Sequence, residues 1–339
     1  MKAGQSLAGR RCDRHLGQFE DGSDVSVMKA PSTWIARLVV AVPLLALPAA
    51  SAQAQGDGPR VYQIVPDGTR VVSVYGLFTR GNQSVDPSSV IEAGDIAVDV
   101  AVLQYVHPVT LGNRVSGAFV VLPLGEVTGT LRVPGSRFSG SSSWIGDMQL
   151  GWVQNIVGPP PLTGKDYATR KPGFTFGVLA KLLTPTGAYS PDKVINLGGN
   201  RWALQLGTPI TWYLGRSFVD PKLTTFELLP TVTFYTRNGD PNGADTLEQK
   251  PIFRLEGHVT RNLNRALWLS LDATWVYGGE TTTDGVENDD VQRALMLGGT
   301  VNVTLSRSTS VKVTYGEVVR RNDGGPDGQM FRVIGTVVF

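Results

Sequence analysis

The sequence predicts an all-β fold, a single transmembrane antiparallel β-barrel of about twelve strands preceded by a cleaved signal peptide, on three observations. Runs of alternating apolar and polar residues recur along the chain, the connections between them alternate long and short, and the last run, residues 329–339, closes on an aromatic residue. A terminal aromatic on such a strand resembles the signal by which bacterial outer-membrane barrels are recognised, so Phe339 is expected to serve as a barrel-insertion signal.

Composition agrees with this class. Of 339 residues, 41% are hydrophobic and only 18% charged, and mean hydropathy is close to zero. A helical membrane protein is more apolar and a disordered chain more charged. A barrel spends only alternate residues on lipid, so modest hydropathy suits it.

The N-terminal region divides into three parts. Residues 1–27 are polar, patternless and upstream of a better start at Met28, and are expected to be a non-structural extension or the product of a mis-assigned start codon. Residues 28–54 read as the signal peptide: Lys29 and Arg37 supply positive charge, Leu38 to Leu47 an apolar core, and Ala50-Ser51-Ala52 or Ala52-Gln53-Ala54 a small-residue cleavage site. An apolar core of about ten residues is too short for a transmembrane helix. Cys12 and His15 precede the cleavage site, so the mature chain has no thiol and two histidines, His107 and His258. Disulfides, thiol catalysis and cysteine zinc sites are thereby excluded. Six basic and four acidic residues also precede Gln55, which leaves 25 of each sign and no net charge. No nucleic-acid partner is implied. Residues 55–70 carry Val61, Tyr62, Ile64 and Val65 without membrane-length alternation. They form either a periplasmic leader or a plug tucked into the barrel.

The barrel proper is expected over residues 71–339. Its clearest strand, residues 267–277, sets Leu267, Leu269, Leu271, Ala273, Trp275 and Tyr277 against Ser270, Asp272 and Thr274. That is a lipid face ending in an interfacial aromatic girdle, opposite a polar lumen. The same reading sets Phe253, Leu255 and Val259 against Arg254, Glu256, His258 and Thr260, and Val311, Val313 and Tyr315 against Lys312 and Thr314. Near the front, Ile96, Val98, Val100 and Val102 oppose Asp95 and Asp99, which assigns the aliphatics to lipid and the aspartates to the lumen. The lumen-lining candidates are thus Asp95, Asp99, Lys181, Glu227, Arg254, Glu256, His258, Asp272, Lys312 and Arg332. They could be a ladder of ion pairs filling a narrow barrel, or a constriction selecting solutes by charge. A soluble sandwich would also alternate, but its outer polar faces would carry more charge than these Ser, Thr, Asn and Gln faces do.

Connections supply independent support, since bacterial barrels have long outer loops and short periplasmic turns. The segments 80–93, 125–142, 185–199, 237–249, 279–289 and 320–328 read as long loops. Those at 108–112, 261–265 and 306–308 read as tight turns, and 215–222 as a moderate one. Residues 157–172 are a Pro-rich exception that could pack beneath the barrel.

No catalytic constellation emerges. His258 shares a face with Glu256 but no serine sits at a recognisable elbow, His107 precedes Pro108, and no phosphate-cradling glycine loop is present. Neither catalysis nor a cofactor or metal is expected. An adhesive barrel would want longer, more aromatic loops than Asp240-Pro241-Asn242-Gly243 or Asp323-Gly324-Gly325-Pro326.

Four stretches carry a family resemblance: Val65-Pro66-Asp67-Gly68-Thr69; Gly146-Asp147-Met148-Gln149-Leu150-Gly151; Thr184-Pro185-Thr186-Gly187-Ala188-Tyr189 with Asn196-Leu197-Gly198-Gly199-Asn200-Arg201-Trp202; and Tyr277-Gly278-Gly279-Glu280-Thr281. In order and over nearly the whole mature chain, they resemble the outer-membrane transporters of the MetA-pathway of phenol degradation family. The resemblance implies a bacterial outer-membrane channel for passive uptake of small aromatic or hydrophobic compounds, with outer-membrane lipid and the barrel-assembly machinery as partners. It brings no catalytic residues. The alternative function is a structural or interaction barrel without transport, and a hydrolase is the remoter one.

Overall fold

The computed structural model describes residues 56–83, 90–91, 94–133 and 136–339. The extension 1–27, the signal expected over 28–54 and Gln55 lie outside the described residues. In chain order the elements are β1 (Val71–Gly81), β2 (Gly94–Leu111), β3 (Arg114–Val133), β4 (Ser136–Ile145), β5 (Gln149–Val157), α1 (Gly164–Thr169), β6 (Phe174–Leu183), β7 (Ala203–Gly207), β8 (Ile210–Leu214), β9 (Thr224–Tyr235), β10 (Leu247–Gln249), β11 (Ile252–Asn262), β12 (Leu267–Gly278), β13 (Thr281–Thr283), β14 (Val286–Glu287), β15 (Gln292–Thr304), β16 (Thr309–Arg321) and β17 (Gly328–Val338).

Hydrogen-bonded neighbours run β1-β17-β16-β15-β12-β11-β9-β7-β6-β5-β3-β2, which gives twelve antiparallel staves. The ring closes where β1 lies beside β2, joined by the Arg80–Asp99 ion pair at 2.8 Å and the Tyr75–Gln104 hydrogen bond. Closure leaves no edge strand to be satisfied by lipid, which offers no hydrogen bonds. Two staves are broken. β4 and β5 both pair with β3, and β7 and β8 both lie between β6 and β9. The second break falls at Thr208-Pro209, where proline has no N–H for the ladder.

The alternation read from the sequence governs which face meets lipid. Leu269, Leu271, Trp275 and Tyr277 are exposed on the outside of β12, with Trp268, Ser270, Thr274 and Val276 buried on the inside. Outward aromatics cluster at two heights: Phe174 and Trp212, 4.9 Å apart, near one end, and Phe253, Trp275 and Tyr277 near the other. On β9, Phe226 and Phe234 mark the two levels, about 26 Å apart along the strand at ~3.3 Å per residue. A tilt of about 40° makes that about 20 Å of bilayer normal, comparable to a barrel's apolar band.

Long connections gather at one end of the barrel and tight turns at the other, as the sequence predicts. The tight end also holds both flanks of the barrel: Arg70 and Phe339 exchange backbone hydrogen bonds of 2.7 and 3.0 Å. By the orientation of such barrels this is the periplasmic end. At that end the Pro-rich exception carries α1, capped by the Thr163 hydroxyl accepting from Asp166 N. Leu162 packs with Tyr213, Phe218 and Leu223 beneath the barrel.

Three expectations need correction. The tight turn expected at 108–112 is confined to Gly112-Asn113, because residues 108–111 continue β2 and pair with residues 114–117. Residues 125–142 are not a loop: β3 and β4 stay paired from Leu124↔Ile145 to Val133↔Ser136, so this hairpin projects beyond the membrane. On β2 the faces are the reverse of those predicted. Ile96, Val98, Val100 and Val102 are buried inside, while Asp95 and Asp99 point outward. Alternation fixes that two faces differ but not which is inside. Here the inner face is apolar because Ile195 and Leu197, from the loop after β6, and Tyr62 fold in against it. Asp95 and Asp99 belong to the outer end of the strand, where Arg80 and Asp99 pair with side chains 44% and 48% exposed.

Candidate functional site: the lumen and its N-terminal segment

Among the ten predicted lumen residues, eight face inward: Lys181, Glu227, Arg254, Glu256, His258, Asp272, Lys312 and Arg332. Asp95 and Asp99 do not. Across the lumen, the segment from Gly56 to Asp67 makes the contacts that organise them.

The Glu256 carboxylate accepts the backbone N–H groups of Asp57 and Gly58 at 3.1 and 3.2 Å. Glu227 accepts Arg60 N at 2.8 Å and Gln63 Nε2 at 3.0 Å. Asp57 in turn takes an ion pair of 2.7 Å from Lys181 and the Tyr62 hydroxyl at 2.6 Å. Lys312 donates to Pro59 O and Arg332 to Gly56 O, at 2.8 and 2.9 Å. The Arg60 guanidinium binds the Thr260 hydroxyl and lies 4.5 Å from the Trp268 ring centroid. The segment is thus threaded through alternating charges, its backbone bonded by side chains of β9, β11, β16 and β17 and its Asp57 carboxylate by Lys181 of β6.

The Gly-Asp-Gly-Pro run at 56–59 fits this path closely. Gly58 has φ +91°, and a Cβ there would lie 2.3 Å from Arg332 Nη2. The left-handed conformation and the close approach both call for glycine. Lower down, Ile64 is 1% exposed and packs into the Leu162, Phe218 and Leu223 cluster at the periplasmic mouth, burial that stabilises docking by about 1.5–3 kcal/mol.

Deeper in the wall, His258 Nδ1 is 2.8 Å from Asp272 and its Nε2 is 3.6 Å from Glu256. Ser270 and Thr300 donate to Asp272, and Thr314 bonds Thr300. Ser270 therefore spends its proton on the carboxylate rather than on His258, the reverse of a nucleophile–base relay. The arrangement is a hydrogen-bonded ladder.

Beside the segment lies a cavity of about 190 Å³. One wall is apolar, built by Val100, Val102, Phe119 and Val121 with Tyr75. The other is polar, built by Lys181, Arg254, Glu256 and Arg332 with Asp57. Above it the loop after β6 is tied down by Asp147, whose two carboxylate oxygens accept Gly187 N and Gly199 N at 2.7 Å each. A Cβ on Gly187 would sit 2.7 Å from the Gly198 Cα, so two of the glycine stretches singled out in the sequence meet in one knot. The sequence pattern assigned no site role to Asp57, Ile195 or Leu197. The Gly-Asp-Gly-Pro run was the available signal for the first, and the isolated apolar pair in a polar loop for the other two.

Closed, apolar outside and charged within, this is an outer-membrane β-barrel. The family model described as "Putative MetA-pathway of phenol degradation" matches residues 78–325. The chain belongs to that family. Its fold is similar to that of an outer membrane channel from Pseudomonas putida F1, with TM-score 0.69 at 20% identity, covering 84% of this chain and 100% of that one. Weaker likenesses are to the KdgM porin (TM-score 0.38, 7% identity, 80% and 99% of the two chains) and to the transport unit of the autotransporter AIDA-I from Escherichia coli (TM-score 0.41, 8% identity, 84% and 92%). No curated protein matches the sequence.

Proposed function

We propose that this barrel is a channel for passive uptake of small aromatic or hydrophobic compounds, closed at rest by residues 56–68 acting as a plug. The observation that carries this reading is the cavity of about 190 Å³ beside the segment, with an apolar wall on β2 and β3 facing a charged wall. Family membership supports the aromatic assignment, since the family is described by phenol degradation. Diffusion down a gradient needs no nucleotide, only a path and a constriction. The segment is held by hydrogen bonds and ion pairs rather than by strand pairing, so its release leaves the ladder of the barrel intact.

The test is single-channel current through the purified, refolded protein in a planar bilayer, compared with a variant lacking residues 56–68. Deletion is expected to convert rare, brief openings into stable conductance steps. A heat-modifiable, folded deletion variant that stays electrically silent would sink the channel reading and favour a structural barrel.

A further inference from the structure

Resting on the reading of the barrel as a plugged solute channel, we propose that the lumenal cavity is a binding site for aromatic monocarboxylates. In the closed state the plug's own Asp57 and Tyr62 line it and serve as internal stand-ins, and the solute opens the channel by displacing them.

The chemistry of the plug carries the argument. Asp57 presents a carboxylate to Lys181 at 2.7 Å, and the ring of Tyr62, tied to that carboxylate through its hydroxyl, packs against the apolar cluster of β2 and β3. An anion and an aromatic ring side by side are therefore what the protein itself uses to satisfy this cavity. Any solute that is to replace them without leaving Lys181 unpaired must bring both, because an unpartnered buried charge is costly.

Arg332 supplies the second observation. It is 7% exposed, and among the described residues its guanidinium hydrogen-bonds only the neutral carbonyl of Gly56 and its Nε has no partner. A planar fork held by one carbonyl is an incomplete match, whereas a carboxylate accepts it with two parallel bonds. Register sets Arg332 opposite Leu77 and Ile334 opposite Tyr75 on the inner faces of β17 and β1. The cation thus adjoins the apolar wall on which a ring would lie. Size agrees as well, since an apolar cavity of about 150 Å³ is enough to take benzene.

Three exclusions follow. Phenol carries the ring but no charge at neutral pH, and leaves Lys181 and Arg332 unmatched when Asp57 departs. Acetate carries the charge but forfeits the apolar wall. A dicarboxylate sets its second charge against Val100 and Val102.

The experiment records single channels of the full mature protein, of Arg332→Gln, of Lys181→Gln and of the 56–68 deletion, each checked for heat-modifiable mobility, with benzoate, phenol or acetate at equal concentrations. In the wild type, benzoate is expected to raise the open probability at least fivefold, with phenol and acetate changing it less than twofold. In the constitutively open deletion variant, benzoate is expected to appear as transient block at lower concentration than it needs to open the wild type, because its competitor is gone. Either substitution is expected to raise the effective benzoate concentration at least tenfold. If the deletion variant conducts but benzoate neither opens the wild type nor blocks the deletion, or if phenol equals benzoate, the carboxylate site is overturned while the channel reading stands. A silent deletion variant overturns both.

Discussion

Replacing Asp57 by asparagine isolates the contribution of one charge to closure. The side chain keeps its shape and can still accept the Tyr62 hydroxyl, but the ion pair with Lys181 is lost. That pair is 2.7 Å long, with side chains 8% and 24% exposed, so solvent screens it little. Hydrogen bonds to charged groups contribute about 1.5–3 kcal/mol. Taking about 2 kcal/mol, at 1.4 kcal/mol per decade, the ratio of docked to released plug should fall roughly thirtyfold. The two N–H bonds into Glu256 and the Ile64 anchor remain, so the variant should flicker rather than stay open. Open probability per channel, summed from dwell times at fixed voltage, reads this ratio directly. Combining Asp57→Asn with Lys181→Gln should cost little more than either change alone, because both remove one interaction. A folded Asp57→Asn variant whose open probability rises less than threefold, or a double variant whose effects simply add, would refute the assignment of closure to this pair.

Other perturbations probe the remaining anchors. Ile64→Ala empties the periplasmic cluster around Phe218 and should weaken docking by about 2–5 kcal/mol, read as more frequent opening without loss of heat-modifiable mobility. Asp147→Ala removes two charge-assisted bonds to the loop after β6, which should free Ile195 and Leu197 from the β2 wall. Protease added from the outer side should then cut within residues 184–199 at least tenfold faster. Asp220, in the turn after β8, has its carboxyl held below the usual 3.8 by the backbone N–H groups of Arg216 and Lys222, against opposing desolvation. A depressed carboxylate pKa stabilises the folded turn fully above the unfolded value and ceases to do so as pH falls through the folded one. The difference in thermal midpoint between wild type and Asp220→Asn should therefore be constant from pH 7 to 5 and shrink below about pH 4. A difference that grows on acidification would contradict this.

Strand count, loop parity and the inward set on β6, β9, β11, β12, β16 and β17 were legible in the sequence because period-two alternation is a local property. Polar and apolar residues two apart must lie on opposite faces of any strand, and only the outer face meets lipid. Where the two faces differ but the inside is not wet, the same pattern misleads. On β2 the aliphatic row faces the lumen, because Ile195 and Leu197 arrive from a loop roughly a hundred residues downstream to cover it. No local periodicity records such a meeting. Breaks in the staves at Gly146-Asp147-Met148 and Thr208-Pro209 were visible only as turn-forming residues, without a sign that pairing resumes beyond them.

The chain's local pattern thus determined the fold class, the twelve staves and the polar ladder of Glu227, Glu256, His258 and Asp272. Tertiary structure alone decided what that ladder holds. Glu256 and Glu227 look in sequence like any inward carboxylates, and their partners, the amides of Asp57, Gly58 and Arg60, lie more than 160 residues away along the chain. Closing a ring brings every inward face to one axis, so a segment with no strand periodicity of its own can be bound by five strands at once. Its conformation is set by those side chains rather than by its neighbours in sequence.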